Sequence, residues 1–144
     1  MRRILALAGA VALAVAVASP AARSEPDLEK CGEAVQRIKA CTRLILSGKF
    51  SRKELAILYW NRGNAFVRRQ KFKLAVADFD DAIKANWRLA YAYYARGLIY
   101  QYAMKQRERA IKDFRMAYDL EPWIDQFADK LLTFGYLVPV RSRL

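Results

Sequence analysis

The sequence predicts an all-α protein in which antiparallel helix pairs stack on one another, about six helices in all after an N-terminal leader. Three observations carry this expectation. A set of small and aromatic residues recurs: Gly63 is followed by Phe66, Ala75, Phe79 and Ala82, and Gly97 by Tyr100, Ala110, Phe114 and Ala117. The glycines stand 34 residues apart and the later alanines 35 apart, a period that marks stacked repeats. Apolar residues elsewhere fall at helical spacing, and alternating strand patterns are almost absent.

The leader comes first. Arg2 and Arg3 precede an uninterrupted apolar run of 15 residues, 4–18, which is followed by Ser19, Pro20, Ala21 and Ala22. A basic start, a short apolar stretch and small exit residues read as a Sec-type signal peptide over residues 1–24, cut after Ala18, Ala22 or Ser24. The run is short for a membrane span, which needs about 20 apolar residues. The expected location is therefore a bacterial periplasm or the medium, where disulfides persist. The chain has two cysteines, Cys31 and Cys41. Ten residues of continuous helix would span about 15 Å, whereas a disulfide needs Cα atoms within about 7 Å. Pairing requires the chain to fold back near Gly32, and two buried thiols are the alternative.

Residues 25–29 are polar and include Pro26, a lead-in. From Ala34 the apolar positions Val35, Ile38, Cys41, Leu44 and Ile45 predict the first helix, closed by Ser47-Gly48. Ser51 and Glu54 have the spacing of a capping box, with Phe50 and Leu55 at staple positions; the helix they open runs to about Arg69. A turn at Gln70-Lys71 leads into a helix with Phe72, Ala75, Val76, Phe79, Ala82 and Ile83 on one side. Asp78, Asp80, Asp81 and Lys84 fall mostly outside that stripe and read as a solvated acidic face. Residues 87–103 predict one helix, with Tyr91, Tyr94, Leu98 and Tyr102 sharing a face. Residues 108–120 predict the next, with Ile111, Phe114, Ala117 and Tyr118. Pro122 suits the first turn of a last helix, which carries Ile124, Phe127, Ala128 and Leu131 and ends near Gly135. Residues 136–144 are a basic tail.

The recurring residues resemble the tetratricopeptide repeat, a 34-residue helix–turn–helix unit. Tyr59, Gly63, Phe66, Ala75, Phe79 and Ala82 match its pattern once. Tyr93, Gly97, Tyr100, Ala110, Phe114, Ala117 and Pro122 match it again. The resemblance implies a degenerate first unit at 28–48, in which Cys41 takes the place of Phe79, then repeats at 56–89 and 90–122 and a capping helix at 123–135. The segments around Cys31, Ala40-Cys41-Thr42, Ser47-Gly48-Lys49 and Asn61-Arg62-Gly63-Asn64 are similar to secreted bacterial repeat proteins. The sequence departs from the family in three places. Arg62 and Arg96 stand where Leu is common, Trp87 stands where the first unit would end in Pro, and one extra residue falls in the turn around 105–108. The paired arginines predict ion pairs, Arg62 with Asp78 or Asp81 and Arg96 with Asp113.

Composition bounds function. The chain has no histidine, so the commonest general base and metal ligand is missing. Asp78, Asp80 and Asp81 lack the closing Glu of a calcium loop. No enzyme, metal or cofactor is expected. There are 26 Lys and Arg against 14 Asp and Glu, a net charge of +12; an excess of this size draws a protein to anionic partners.

The resemblance implies a concave face built by the first helix of each pair. Its residues here are Ile57, Trp60, Asn61, Asn64, Val67 and Arg68, then Tyr91, Tyr94, Leu98, Gln101 and Tyr102. Trp and Tyr supply buried area and Asn binds peptide backbone, so the expected partner is a protein or peptide. Some relatives clamp a C-terminal carboxylate; Asn64 fits that scheme, but Ile57, Trp60 and Tyr91 occupy three of its lysine-type positions. Arg68, Arg69, Lys71 and Lys73 crowd one turn, and Lys105, Arg107 and Arg109 the equivalent turn one repeat on. They predict a basic rim, which is either a solubilising edge or a contact for an anionic lipid, polysaccharide or acidic protein. Export argues against nucleic acid.

Overall fold

A computed structural model describes residues 38–137. The leader, Cys31, the start of the first helix and the tail from residue 138 lie outside the described residues. Six α-helices follow one another: α1 Ile38–Leu46, α2 Arg52–Arg68, α3 Phe72–Ala85, α4 Ala90–Leu98, α5 Arg107–Leu120 and α6 Asp125–Thr133. Among the described residues there is no strand, so the fold is all-α. None of these helices is long and apolar enough to cross a membrane.

Local chemistry sets the boundaries. Ser51 caps α2: its hydroxyl accepts from the Glu54 N–H, and Glu54 Oε2 accepts from the Ser51 N–H at 2.7 Å. At the C-terminus of α6 the Tyr136 N–H reaches Leu131 O and the Gly135 N–H reaches Leu132 O, with Gly135 at φ 82°. That pair of bonds satisfies the last carbonyls of the helix and suits a residue without Cβ. The α2–α3 turn uses the same pair of bonds, Lys71 to Phe66 O and Gln70 to Val67 O, with Gln70 left-handed at φ 56°.

Each helix packs chiefly on its neighbours in sequence. Arg52 of α2 reaches Lys84 of α3 and Arg62 reaches Asp78, so α2 and α3 run antiparallel. Arg96 meets Asp113 and Tyr100 meets Arg109, so α4 and α5 do the same. The glycines lie where these pairs cross most closely. A Cβ on Gly63 would stand 2.7 Å from Phe79 Cε1, and one on Gly97 would stand 2.8 Å from Phe114 Cε1. The opposing group is therefore the phenylalanine ring, while Ala75 and Ala110 are fully buried elsewhere in the interface. Cys41 is as completely buried as Phe79 and Phe114 and packs with Leu58. It is disulfide-bonded. Phe127 of α6 closes the other end, in one cluster with Tyr93, Phe114 and Leu131.

Four expectations change. The helix expected from Trp87 begins at Ala90, because Asn86 to Leu89 form a turn in which the Leu89 N–H bonds Asn86 O. Pro122 lies in the equivalent turn, not in the first turn of α6, which starts at Asp125. The extra residue of the second unit is not in the turn. The helix instead widens into a π-helical segment, Ile99–Ala103, directly after α4. Lastly, the acidic face of α3 is not uniformly solvated: Asp78 is 4 % exposed, as is Asp113 on α5.

Candidate functional site

The side-by-side placement of α2 and α4 defines the site, and two arginines help to fix it. Arg62 Nε and Nη2 donate to Asp78 at 2.9 and 2.7 Å, and its Nη1 donates to Thr42 Oγ1 of α1 at 3.0 Å. Arg96 repeats the arrangement. Its Nε and Nη2 donate to Asp113 at 2.8 and 2.7 Å, and its Nη1 donates to Asp80 of α3. Each guanidinium thus uses two donors within its own helix pair and a third on the preceding helix. Thr42 follows Cys41 as Asp80 follows Phe79, so α1 stands to α2 as α3 stands to α4. The planar fork of Arg suits this three-way contact and Lys does not. The hydrogen bond with Asp78 chiefly holds the Arg62 guanidinium above its ordinary pKa, against the effect of burial. At Arg96 burial opposes the charge more strongly, but the bonds with Asp113 and Asp80 prevail and raise the value. Burial pushes the Asp113 carboxyl up, with Arg96 pulling it back.

Between α2 and α4 lies a groove of about 380 Å³, lined by Asn64, Val67, Phe72, Ala95, Leu98, Ile99, Tyr102 and Ala103. The π-helical segment supplies three of these residues, Ile99, Tyr102 and Ala103. A π turn carries one extra residue and turns the side chains after it onto a different face. Lys130 of α6 donates to the Tyr102 hydroxyl at 2.7 Å, with its ammonium 4.9 Å from the ring centroid. Tyr102 remains 56 % exposed at the edge of the groove. The lining is apolar apart from Asn64 and the tyrosine hydroxyl, a combination that buries apolar side chains and orients them through few polar groups.

Asn64, Val67, Leu98 and Tyr102 were expected from the sequence on this face, and the structure brings them together. The others lie apart from the groove. Trp60 packs edge-on against Tyr91 with ring centroids 6.3 Å apart, and Tyr91 packs against Phe127 at 5.3 Å. Tyr94 sits between Phe114 and Phe127, at 5.6 and 5.0 Å, so α6 covers it; desolvation raises its pKa. Ile57 and Arg68 are exposed, and Asn61 and Gln101 are partly buried. Trp60 Nε1 and Gln101 Oε1 are buried without a hydrogen-bond partner. Phe72, Ala95, Ile99 and Ala103 were not foreseen. Phe72 comes from the second helix of its pair, Ala95 from α4, and Ile99 and Ala103 from the π-helical segment.

No family model and no curated protein matches this chain. The site therefore rests on its own geometry.

The basic rim adjoins the groove. Arg68, Arg69, Lys71, Lys73, Lys105, Arg107 and Arg109 are all exposed, and none takes part in an ion pair among the described residues. Arg107 lies over Phe134 at 4.7 Å and Arg109 over Tyr100 at 5.6 Å. A second, smaller hollow of about 260 Å³ is lined by Gln101, Lys105, Arg107 and Phe134. Among the described residues no group of three or more Cys, Asp or Glu side chains is placed to hold a metal ion.

Proposed function

We propose that this chain is an exported adaptor of the tetratricopeptide type, which holds a peptide segment of another protein in the groove between α2 and α4. The observation that carries the reading is the groove itself: a concave, mostly apolar cleft of about 380 Å³ with one amide in its wall. Peptides that dock into helical grooves bury a few apolar anchors and need little polar recognition. The repeated glycine–phenylalanine contacts and arginine forks support the assignment to a helical repeat, whose concave side is its usual binding surface. The basic, apolar, small-residue leader supports export. The absence of histidine from the sequence supports a binding role over catalysis.

NMR titration of the labelled protein with pooled peptides tests the reading. Amide shifts are expected to cluster around Asn64, Val67, Leu98 and Tyr102; shifts confined to any other face would remove the groove from consideration. Sequencing of the mature N-terminus tests export, and a protein that still begins at Met1 in the cell would exclude cleavage. A second reading, attachment to an anionic envelope surface, draws on the seven exposed cations of the two turns. Attachment of that kind weakens steeply with salt.

A further inference from the structure

The groove and the rim share chain neighbours. Val67 of the groove precedes Arg68, Phe72 lies between Lys71 and Lys73, and Ala103 stands two residues before Lys105. A segment seated on the apolar lining lies next to these cations where it reaches the turns.

Their charge is unbalanced locally. The sequence has no Asp or Glu between Glu54 and Asp78, and none between Asp81 and Glu108. Elsewhere Arg62 pairs with Asp78, Arg96 with Asp80 and Asp113, and Lys84 with Asp81. The two turns beside the groove thus carry seven exposed cations against one carboxylate, Glu108. Lys130 adds a further ammonium there through Tyr102.

We infer that the groove takes an internal acidic segment: one or two apolar side chains in the cleft, followed by aspartates or glutamates that lie against Arg68, Lys71, Lys73 and Lys105. The inference rests on the peptide-binding reading above and names the chemistry of its ligand. Complementary charge at the rim speeds association and rejects wrong partners, while the apolar anchors hold the complex. Lys71 and Lys105 lie in the turns, Arg68 and Lys73 at the helix ends beside them, and none lines the groove itself, so they meet side-chain carboxylates along the segment; a free C-terminus is not needed. A lipid surface fits less well. Membrane docking places exposed tryptophans beside basic residues; Trp87, with Arg88 over its ring at 5.5 Å, and Trp123 lie in the α3–α4 and α5–α6 turns, at the opposite end of the helices from the rim, which has no tryptophan.

Selection of displayed random peptides of about twelve residues, with no free C-terminus, on the full-length protein tests this. Enriched peptides are expected to combine Leu or Phe anchors with several Asp or Glu. The best peptide should bind about tenfold more weakly when salt rises from ~50 to ~300 mM, because rim charges are screened. The exposed double variant Arg68→Glu, Lys71→Glu should lose binding by about tenfold or more. Tyr102→Ala should weaken the same peptide, with far-UV circular dichroism unchanged in both variants. Enrichment of apolar peptides with no acidic bias would overturn the inference and leave the peptide groove standing. No enrichment at all would overturn both, as would enriched peptides indifferent to Tyr102→Ala. Binding to phosphatidylglycerol vesicles in place of any peptide would assign the rim to a lipid surface and overturn the inference.

Discussion

In the first helix pair the left-handed turn residue, Gln70, stands seven residues after Gly63; in the second, Lys105 stands eight after Gly97. From there on the two units keep step, since Ala75 and Ala110 each follow five residues later. The additional residue of the second unit therefore sits in its first helix, where α4 passes into the π-helical segment Ile99–Ala103. Both turns keep one left-handed residue five positions before the buried alanine, Gln70 and Lys105. The helix tolerates the insertion because an added residue shifts its hydrogen bonds from i→i−4 to i→i−5 at small loss. The Met104 N–H accordingly bonds Ile99 O at 3.0 Å. The comparison separates two jobs. Residues common to both units hold each helix pair together; the one residue that differs shapes the groove, since three of its lining residues come from the π turn.

The largest expected effect concerns the shared part. Arg96→Met strands Asp113 in the core and should cost about 3–5 kcal/mol, the penalty for unpairing a buried charge. Arg62→Met should fall in the same range, because Asp78 is equally buried. The units should differ in the third contact. Arg96 meets a charged Asp80 on the preceding helix, whereas Arg62 meets the neutral Thr42. A double-mutant cycle on Arg96 and Asp80, followed by urea denaturation, should give the larger coupling. Equal couplings would show that the link between units does not depend on the charge at the second position.

Next in size is the close approach of the helices. A Cβ at Gly63 meets only the Phe79 ring within its closest contacts, whereas one at Gly97 also comes within 3.2 Å of Asp113 Cβ. A ring can tilt; a Cβ moves only with its backbone. Gly97→Ala should therefore destabilise more than Gly63→Ala, by about 1–3 kcal/mol against less than 1, with part of each cost returned by the better helix propensity of Ala. Thermal melts of the two variants decide it. Equal losses would mean that the ring clash alone sets the cost.

These shared features were legible in the sequence because they are short-range and repeat. The recurrence of Gly63, Phe79, Gly97 and Phe114 and the two arginine–aspartate pairs follow from a fixed interval on two antiparallel helices, although the ring that faces each glycine does not. The capping box at Ser51 and Glu54 is more local still. The place of the extra residue was not legible. A count of 35 in place of 34 shows that a residue has been added, but a longer turn and a π turn satisfy the same count. Nothing in Ile99 to Ala103 marks a π turn by residue type. The groove was half legible for the same reason. Asn64, Val67, Leu98 and Tyr102 lie on one face by helical spacing. Tyr94 lies there too, yet it is covered, because that depends on where α6 docks. Phe72 reaches the groove from the neighbouring helix, which no single-helix pattern reveals. The buried Asp78 was misread with its acidic neighbours: periodicity on α3 alone placed it outside the apolar stripe, and only Arg62 on the facing helix makes its burial tolerable.

Removing the extra residue tests the division of labour directly. Deletion of Gln101 restores the seven-residue interval and should return Ile99–Ala103 to regular α-helix. It also removes a buried acceptor that has no hydrogen-bond partner, a group whose burial costs about 1–3 kcal/mol. Stability should accordingly stay within ~1 kcal/mol of the parent or rise. If the groove takes a peptide as proposed, its binding should fall, since Tyr102 and Ala103 shift relative to Leu98 and Ile99. A deletion that binds as the parent does would break the link between the π turn and the site.

The smallest effect concerns the two turns. Gln70 and Lys105 are non-glycine residues at φ 56° and 57°, a left-handed conformation that costs an L-residue about 1 kcal/mol. Gln70→Gly and Lys105→Gly relieve that strain but give the unfolded chain more freedom, so each should gain only about 0.5 kcal/mol. Equal gains are expected if the turns are truly alike and the π segment absorbs the whole insertion. The second turn closes with the Gln106 N–H on Tyr100 O, across six residues, where the first closes with Lys71 on Phe66 O, across five. A clearly larger gain at Lys105, measured by the shift in urea midpoint, would mean that the insertion strains the turn as well as the helix. Loss of rim charge is controlled by Lys105→Gln, which removes the charge but keeps an unbranched side chain and the backbone strain, and should leave the midpoint nearly unchanged.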